Sequence, residues 1–232
     1  MKLLVVSDVH GNYEALEAVA SAVQYDEVLC LGDLVDFGPD PRECVEWARQ
    51  SARYIVRGNH DHALANNVAC GCPSKRMERL AEATRGYSHS VLDAAEIDFL
   101  KGLPLKLAAS IGGRSFYAVH GGPRDPLYQL IMARSDRALG EELAGIDAEF
   151  ILLGHTHHPF VNSTAIDGKV VINPGSVGQP RDGDNRASAA VLDLDSGAAR
   201  ILRVKYDVDI VCRKMAHAGF PSELAGILKT GR

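Results

Sequence analysis

The chain has 232 residues, 46% hydrophobic and 24% charged, with a formal net charge of −5. This composition excludes a disordered or fibrous chain, and the absence of a basic tract disfavours a nucleic-acid-coating protein. No apolar run reaches the roughly 20 residues needed to span a bilayer, and the first one breaks at Ser7-Asp8, too early for a secretory signal. A cytoplasmic protein without a membrane partner is expected. No linker-like composition divides the sequence, so one domain over residues 1–232 is expected. The five cysteines, Cys30, Cys44, Cys70, Cys72 and Cys212, are an odd and unevenly spaced set. They argue against a disulfide framework, and Cys70-Gly71-Cys72 lacks the C-x-x-C spacing of a zinc knuckle.

Taken in order, Lys2 to Val6 is a non-alternating apolar run, as in a strand buried on both faces, and it ends in Asp8 and His10. Positions i and i+2 on an extended segment point the same way, so both side chains can reach one point beyond the sheet. Asn12 can cap a helix bearing Leu16, Val19, Ala20 and Val23. A second run, Glu27 to Leu31, leads into Gly32-Asp33-Leu34-Val35-Asp36. Pro41 opens a helix to about Arg49, and Tyr54-Ile55-Val56 runs into Gly58-Asn59-His60-Asp61. This β/α alternation predicts a parallel sheet with crossover helices.

Residues 63–103 are mostly helical in pattern and read as an excursion beside the site. Leu105 to Ile111 and Arg114 to Val119 form a hairpin about Gly112-Gly113, and the second strand ends in His120. A helix is expected from Asp136 to Leu143. Phe150 to Leu153 then ends in Gly154-His155-Thr156-His157-His158. Val161 to Ile166, Lys169 to Ile172, Ala187 to Leu194 and Ala199 to Tyr206, with turns at Asp167-Gly168 and Ser196-Gly197, predict antiparallel hairpins forming a second sheet packed on the first. Helix closes the chain over Val208 to Ala218 and Glu223 to Leu228.

The polar terminations are all carboxylates, imidazoles or a carboxamide. Mixed oxygen and imidazole ligands suit borderline ions, manganese foremost and iron, nickel or zinc otherwise, rather than calcium. The ligands exceed one tetrahedral site. Two ions about 3.5–4 Å apart, sharing one carboxylate, use them economically and suit in-line attack at phosphorus. His62, His89 and His217 read as surface histidines, and His158 as exposed beside the His-x-His pair.

Asp8-Val9-His10, Gly32-Asp33-Leu34-Val35-Asp36, Gly58-Asn59-His60-Asp61, His120 and Gly154-His155-Thr156-His157 resemble, in order and spacing, the calcineurin-like metallophosphoesterases. Ile172-Asn173-Pro174-Gly175-Ser176-Val177 is most similar to the small bacterial and archaeal phosphodiesterases related to diadenosine tetraphosphatase. The resemblance implies an α/β fold, a four-layer α/β/β/α sandwich of two mixed sheets flanked by helices. It implies one metal ion on Asp8, His10 and His157, a second on Asn59, His120 and His155, and Asp33 bridging them with a hydroxide poised to attack phosphorus. His60 becomes the proton donor to the leaving group, with Asp36 orienting its ring. With both ions bound the site keeps a charge of about +1, which draws in phosphate despite the acidic surface.

The function expected is hydrolysis of a small phosphodiester or phosphomonoester. A dinucleoside polyphosphate hydrolase and a protein phosphatase are the alternatives, followed by a catalytically silent protein-binding scaffold. Phe37 stands where the family's protein phosphatases carry an arginine, which counts against that activity. Arg181 and Asn12 are candidate substrate contacts.

Overall fold

The computed structural model describes residues 1–132, 136–166 and 168–232. Among them are strands β1 (Lys2–Val6), β2 (Glu27–Cys30), β3 (Tyr54–Ile55), β4 (Lys106–Ile111), β5 (Arg114–Val119), β6 (Phe150–Leu152), β7 (Phe160–Ile166), β8 (Lys169–Asn173), β9 (Ala187–Asp193) and β10 (Ala198–Val204). The helices are α1 (Tyr13–Ser21), α2 (Pro41–Ser51), α3 (Asn59–Asn66), α4 (Lys75–Val91), α5 (Ala94–Gly102), α6 (Asp136–Glu142), α7 (Val208–His217) and α8 (Ser222–Thr230).

Two mixed five-stranded sheets stack face to face, ordered β10-β9-β1-β2-β3 and β4-β5-β6-β8-β7. β1 lies parallel to β2 and antiparallel to β9, while β5, β6 and β8 run parallel. Leu3 and Val5 face the second sheet, against Phe116, Phe150, Leu152 and Ile172. Leu4 and Val6 face α1 and α2, against Leu16, Val19, Cys44 and Val45. That two-sided burial explains why β1 shows no alternation. α6 covers the outer face of the second sheet through Leu139, with Val119, Ile151 and Val171 beneath it. The result is the four-layer sandwich expected.

Local chemistry sets the helix ends. Asn12 caps α1 by accepting from Ala15 N at 3.2 Å, and Pro41 starts α2 with its φ already helical. Ser74 caps α4, whose buried stripe is Met77, Leu80, Ala81, Thr84, Arg85 and Ser88, spaced as one helix face. Within the excursion, α4 packs with α7 and α8 around Phe37, Met215, Phe220 and Leu224.

Four expectations are corrected. The late hairpins do not share a sheet: β7 and β8 extend the second, whereas β9 and β10 join β1 in the first, so that sheet is mixed rather than parallel. Asp8 and His10 are not on an extended segment; β1 ends at Val6 and both residues have positive φ, 53° and 48°. Helix begins at Asn59 rather than at residue 63, because Asp61 accepts from Gly58 N at 3.0 Å and caps α3. Cys70 and Cys72 form a disulfide, their Cα atoms 5.4 Å apart across Gly71, whose φ of 62° tightens the turn. Of the turn expected at Asp167-Gly168, residue 167 lies outside the described residues.

Candidate metal centre

The loops that follow β1 and β2 continue the pairing of those strands. His10 N donates to Asp33 O at 2.8 Å and Gly11 N to Leu34 O at 2.9 Å. The loop after β8 joins them, with Val177 N on Ser7 O and Gly178 N on Asp8 O, each at 3.0 Å. Asp8, His10, Asp33, Asp36, Phe37, His155 and His157 all adopt positive φ, a conformation that costs a side-chain-bearing residue energy and persists where surroundings impose it. This left-handed geometry turns the side chains at the strand ends inward.

Asp8, His10, Asp33, Asn59, His120, His155 and His157 are all buried and converge on one region. The donor atoms of Asp8, His10 and His157 lie within 4.8 Å of one another, as do those of Asp33, His120 and His155. Asp33 Oδ2 sits 3.3 Å from His120 Nε2 and 3.7 Å from His10 Nε2, between the two groups. Asn59 Oδ1 lies 3.0 Å from His120 Nε2.

Backbone carbonyls fix the imidazoles. His10 Nδ1 bonds Val35 O at 3.1 Å, His120 Nδ1 bonds Leu31 O at 2.7 Å and His157 Nδ1 bonds Gln179 O at 2.6 Å. A carbonyl can only accept, so each Nδ1 carries hydrogen and each Nε2 faces inward. Burial pushes His10, His155 and His157 below the usual imidazole range, His155 to about 3, so these rings are neutral and present lone pairs. Burial also opposes charge on His120, but Asp33 overrides it and holds that ring at about 9.

The donor set fits divalent cations. The Nε2 atoms of neutral His10 and His157 face each other at 3.3 Å, and His157 Nε2 faces Asp8 Oδ1 at 3.2 Å. Asp8 Oδ1 is buried and receives no hydrogen bond among the described residues. Lone pairs opposed at such distances repel unless a cation lies among them, and oxygen with imidazole is the chemistry of borderline ions.

His60 lies beside this cluster. Its Nδ1 is 2.8 Å from Asp36 Oδ2, and its ring centroid is 4.9 Å from that of His10 and 4.8 Å from that of Phe37. Arg181 places its guanidinium 5.9 Å over the Phe37 ring and donates to Gln179 Oε1 at 2.6 Å. Burial lowers it to about 10, within reach of the Asp8 and Asp33 charges. Asn12 is occupied otherwise: besides its cap, Nδ2 donates to Gly178 O at 2.9 Å and to Tyr206 Oη at 3.2 Å. It ties the loop carrying Gln179 and Arg181 to α1.

Several supporting residues were given no role from the sequence, although Asp61 and Asn173 lie within the motifs quoted above. Arg85 reaches Asp36 Oδ2 through Nη2 at 2.7 Å and Nε at 3.2 Å. Asp61 accepts from Asp33 N and Leu34 N, both at 2.8 Å, and Ser7 Oγ donates to Asp8 Oδ2 at 2.6 Å. Asn173 Nδ2 steadies the His-x-His loop through Gly154 O at 2.8 Å. Arg85 was open to detection as the one cation on the apolar stripe of α4. Ser7 gave no signal beyond adjacency.

Residues 1–197 match the sequence model of the calcineurin-like phosphoesterase superfamily domain. The chain is 31% identical to an uncharacterized protein of Methanocaldococcus jannaschii, over 99% of this chain and 98% of that one. The crystal structure of a metallophosphoesterase from Sphaerobacter thermophilus superposes with a TM-score of 0.85 at 34% identity, over 100% of this chain and 99% of that one. A symmetrical bis(5'-nucleosyl)-tetraphosphatase of Erwinia tasmaniensis is 32% identical over 43% of this chain, which spans 36% of that enzyme's length. Among the described residues, no helix is long and apolar enough to cross a membrane.

Proposed function

The chain belongs to the calcineurin-like phosphoesterase superfamily and is a hydrolytic, metal-dependent phosphoesterase; on that premise we propose that it cleaves small phosphodiesters with two divalent cations, manganese foremost. The observation that carries the reading is Asp33 Oδ2, buried and placed between the His10 and His120 nitrogens at 3.7 and 3.3 Å. In this reading Asp8, His10 and His157 would hold one cation and Asn59, His120 and His155 the other, with Asp33 available to both. Bound there, the cations supply positive charge for the phosphate oxygens and acidify a water that can attack phosphorus.

The remaining work falls to side chains. His60, protonated at Nε2, donates to the leaving oxygen, and Asp36 on Nδ1 stabilises the imidazolium and fixes the ring. Arg85 keeps Asp36 in place by a bond from each of two nitrogens. Arg181 approaches from the loop after β8 and is suited to grip a phosphate oxygen not engaged by the cations. Asn12 contributes by tethering that loop. Similarity to enzymes named as symmetrical tetraphosphatases supports a dinucleoside polyphosphate as the second substrate class to test.

The test is a panel of phosphomonoesters, phosphodiesters, cyclic nucleotides and dinucleoside polyphosphates, each with metal-depleted and Mn²⁺-reconstituted protein. Metal-dependent turnover, highest on a diester, is expected. Equal turnover with and without metal would overturn the reading.

A further inference from the structure

A second cluster of potential metal ligands, His60, Cys70 and Cys72, adjoins the centre above and shares His60 with it, since the ligand atoms of His10, Asp33 and His60 also lie within 4.8 Å of one another. After α3 the chain turns at Asn67, φ 53°, and folds back beneath the helix. Val68 N bonds Ala63 O at 3.0 Å, Arg85 Nη1 bonds Val68 O at 3.1 Å and Asn59 Nδ2 bonds Cys70 O at 2.8 Å. These anchors hold Cys70-Gly71-Cys72 against the first turn of α3, with Cys72 Sγ 3.4 Å from His60 Nε2. The ligand atoms of His60, Cys70 and Cys72 lie within 4.8 Å of one another. Cys70 is buried and Cys72 partly exposed, so the cluster opens to solvent on one side.

Two thiolates and one imidazole make a soft ligand set, suited to zinc, cadmium or copper(I) and unlike the oxygen-rich neighbouring centre. The oxidation state decides whether the set exists, because a disulfide has no thiolate to offer. Asp36 engages Nδ1, so Nε2 is the ring nitrogen turned toward the cysteine pair. A divalent ion on two thiolates carries no net charge, so it can reside beside a cationic centre where a bare cation would be repelled.

We propose that the reduced Cys70–Cys72 pair and His60 Nε2 form a third, soft-cation site that withholds the proton donor, and that disulfide formation releases it. In the reducing step a small-molecule dithiol gives two electrons and two protons to the S–S bond, yielding two protein thiols and the cyclic disulfide of the reagent. A divalent ion then displaces both thiol protons. In the oxidising step protons return to the pair as the ion is lost to solvent, and a small-molecule disulfide takes two electrons and two protons from the pair by thiol–disulfide exchange, leaving two reagent thiols and the protein S–S bond. The inhibitory half rests on His60 being the proton donor; the binding half does not.

The experiment uses Mn²⁺-loaded protein, reduced with dithiothreitol, freed of reductant without air, and titrated with Cd²⁺. Thiolate-to-cadmium ultraviolet absorption should saturate at one equivalent in the reduced wild type and be absent from the disulfide form and from Cys70→Ser/Cys72→Ser. Turnover of a diester with an alkyl leaving group should fall about a hundredfold or more in step with the band and return on chelation. The double variant, active without cadmium, should keep its activity at one equivalent, which separates this site from manganese displacement. Absence of the thiolate band from the reduced wild type would overturn the proposal. A full band with unchanged turnover would uphold the site but overturn its control of catalysis, and with it the assignment of His60, without touching the two-cation centre.

Discussion

His60 is held by Asp36 through a 2.8 Å contact between Nδ1 and Oδ2, and the same carboxylate oxygen accepts from Arg85. The His60 ring is therefore held from behind by a buried ion pair between the loop after β2 and α4. Removing the donor should matter in proportion to how much the leaving group needs a proton. His60→Ala is expected to lower kcat by about 10²–10⁴ for an alkyl leaving group and far less for p-nitrophenolate, which departs unprotonated. Asp36→Asn should show the same dependence with a smaller loss. Equal losses across a series of leaving groups would place His60 in another role.

Arg85 is nearly buried and Asp36 entirely so. Truncating one member of a buried, hydrogen-bonded ion pair leaves the other charge without compensation, at a cost of about 3–5 kcal/mol. Arg85→Ala should lose that much stability in a urea titration. Arg85→Ala/Asp36→Ala, which removes both charges, should recover part of it.

Filling the centre should release a proton. Burial opposes charge on His120, but the Asp33 carboxylate 3.3 Å away wins and holds the ring at about 9 in the metal-free protein. A cation that takes Nε2 must displace that proton, so at pH 7 metal binding releases about one proton per chain from this ring, beyond any given up by a cation-bound water. Affinity should rise as pH increases toward about 9 and level off above it. His10, His155 and His157, held neutral by burial, release none. Calorimetric titrations in buffers of different ionisation enthalpy measure the number directly.

Gly58 is the residue that lets α3 approach the loop after β2. A Cβ added there would overlap Asp33 Oδ1 and the Asp33 backbone nitrogen. Gly58→Ala should push Asp33 out of line and weaken metal affinity more than it weakens the fold. Equilibrium dialysis against Mn²⁺, beside a thermal melt, distinguishes the two effects.

That these candidate residues come together was readable from sequence because each follows an apolar run and strand ends are where α/β sheets place ligands. The geometry that delivers them was not. Asp8 and His10 seemed to share a face of an extended segment, whereas both sit in left-handed turns stabilised by the loop after β2. Such turns depend on partners about 25 residues away in sequence, as with His10 Nδ1 and Val35 O, and no local pattern announces them. Strand order was hidden for the same reason: β9 has the local pattern of any hairpin strand, and only its register on β1, from Lys2↔Asp193 to Val5↔Ala190, assigns it to the first sheet. Arg85 and the Cys70–Cys72 pair lay in the excursion at residues 63–103, where helical periodicity identifies which face is buried but not what that face meets.

The central claim is that Asp33 joins two cation sites into one catalytic centre. It is tested most directly by adding Mn²⁺ stepwise to metal-depleted protein while following bound metal and bis-p-nitrophenyl phosphate hydrolysis together, for the wild type and for Asp33→Asn. The wild type should be inactive without metal, bind two ions per chain and reach full turnover only as the second is bound, a two-metal requirement. Asp33→Asn should lose most of its activity and at least one of the two ions. Undiminished hydrolysis by the metal-free wild type, or full activity at a single ion per chain, would contradict the account.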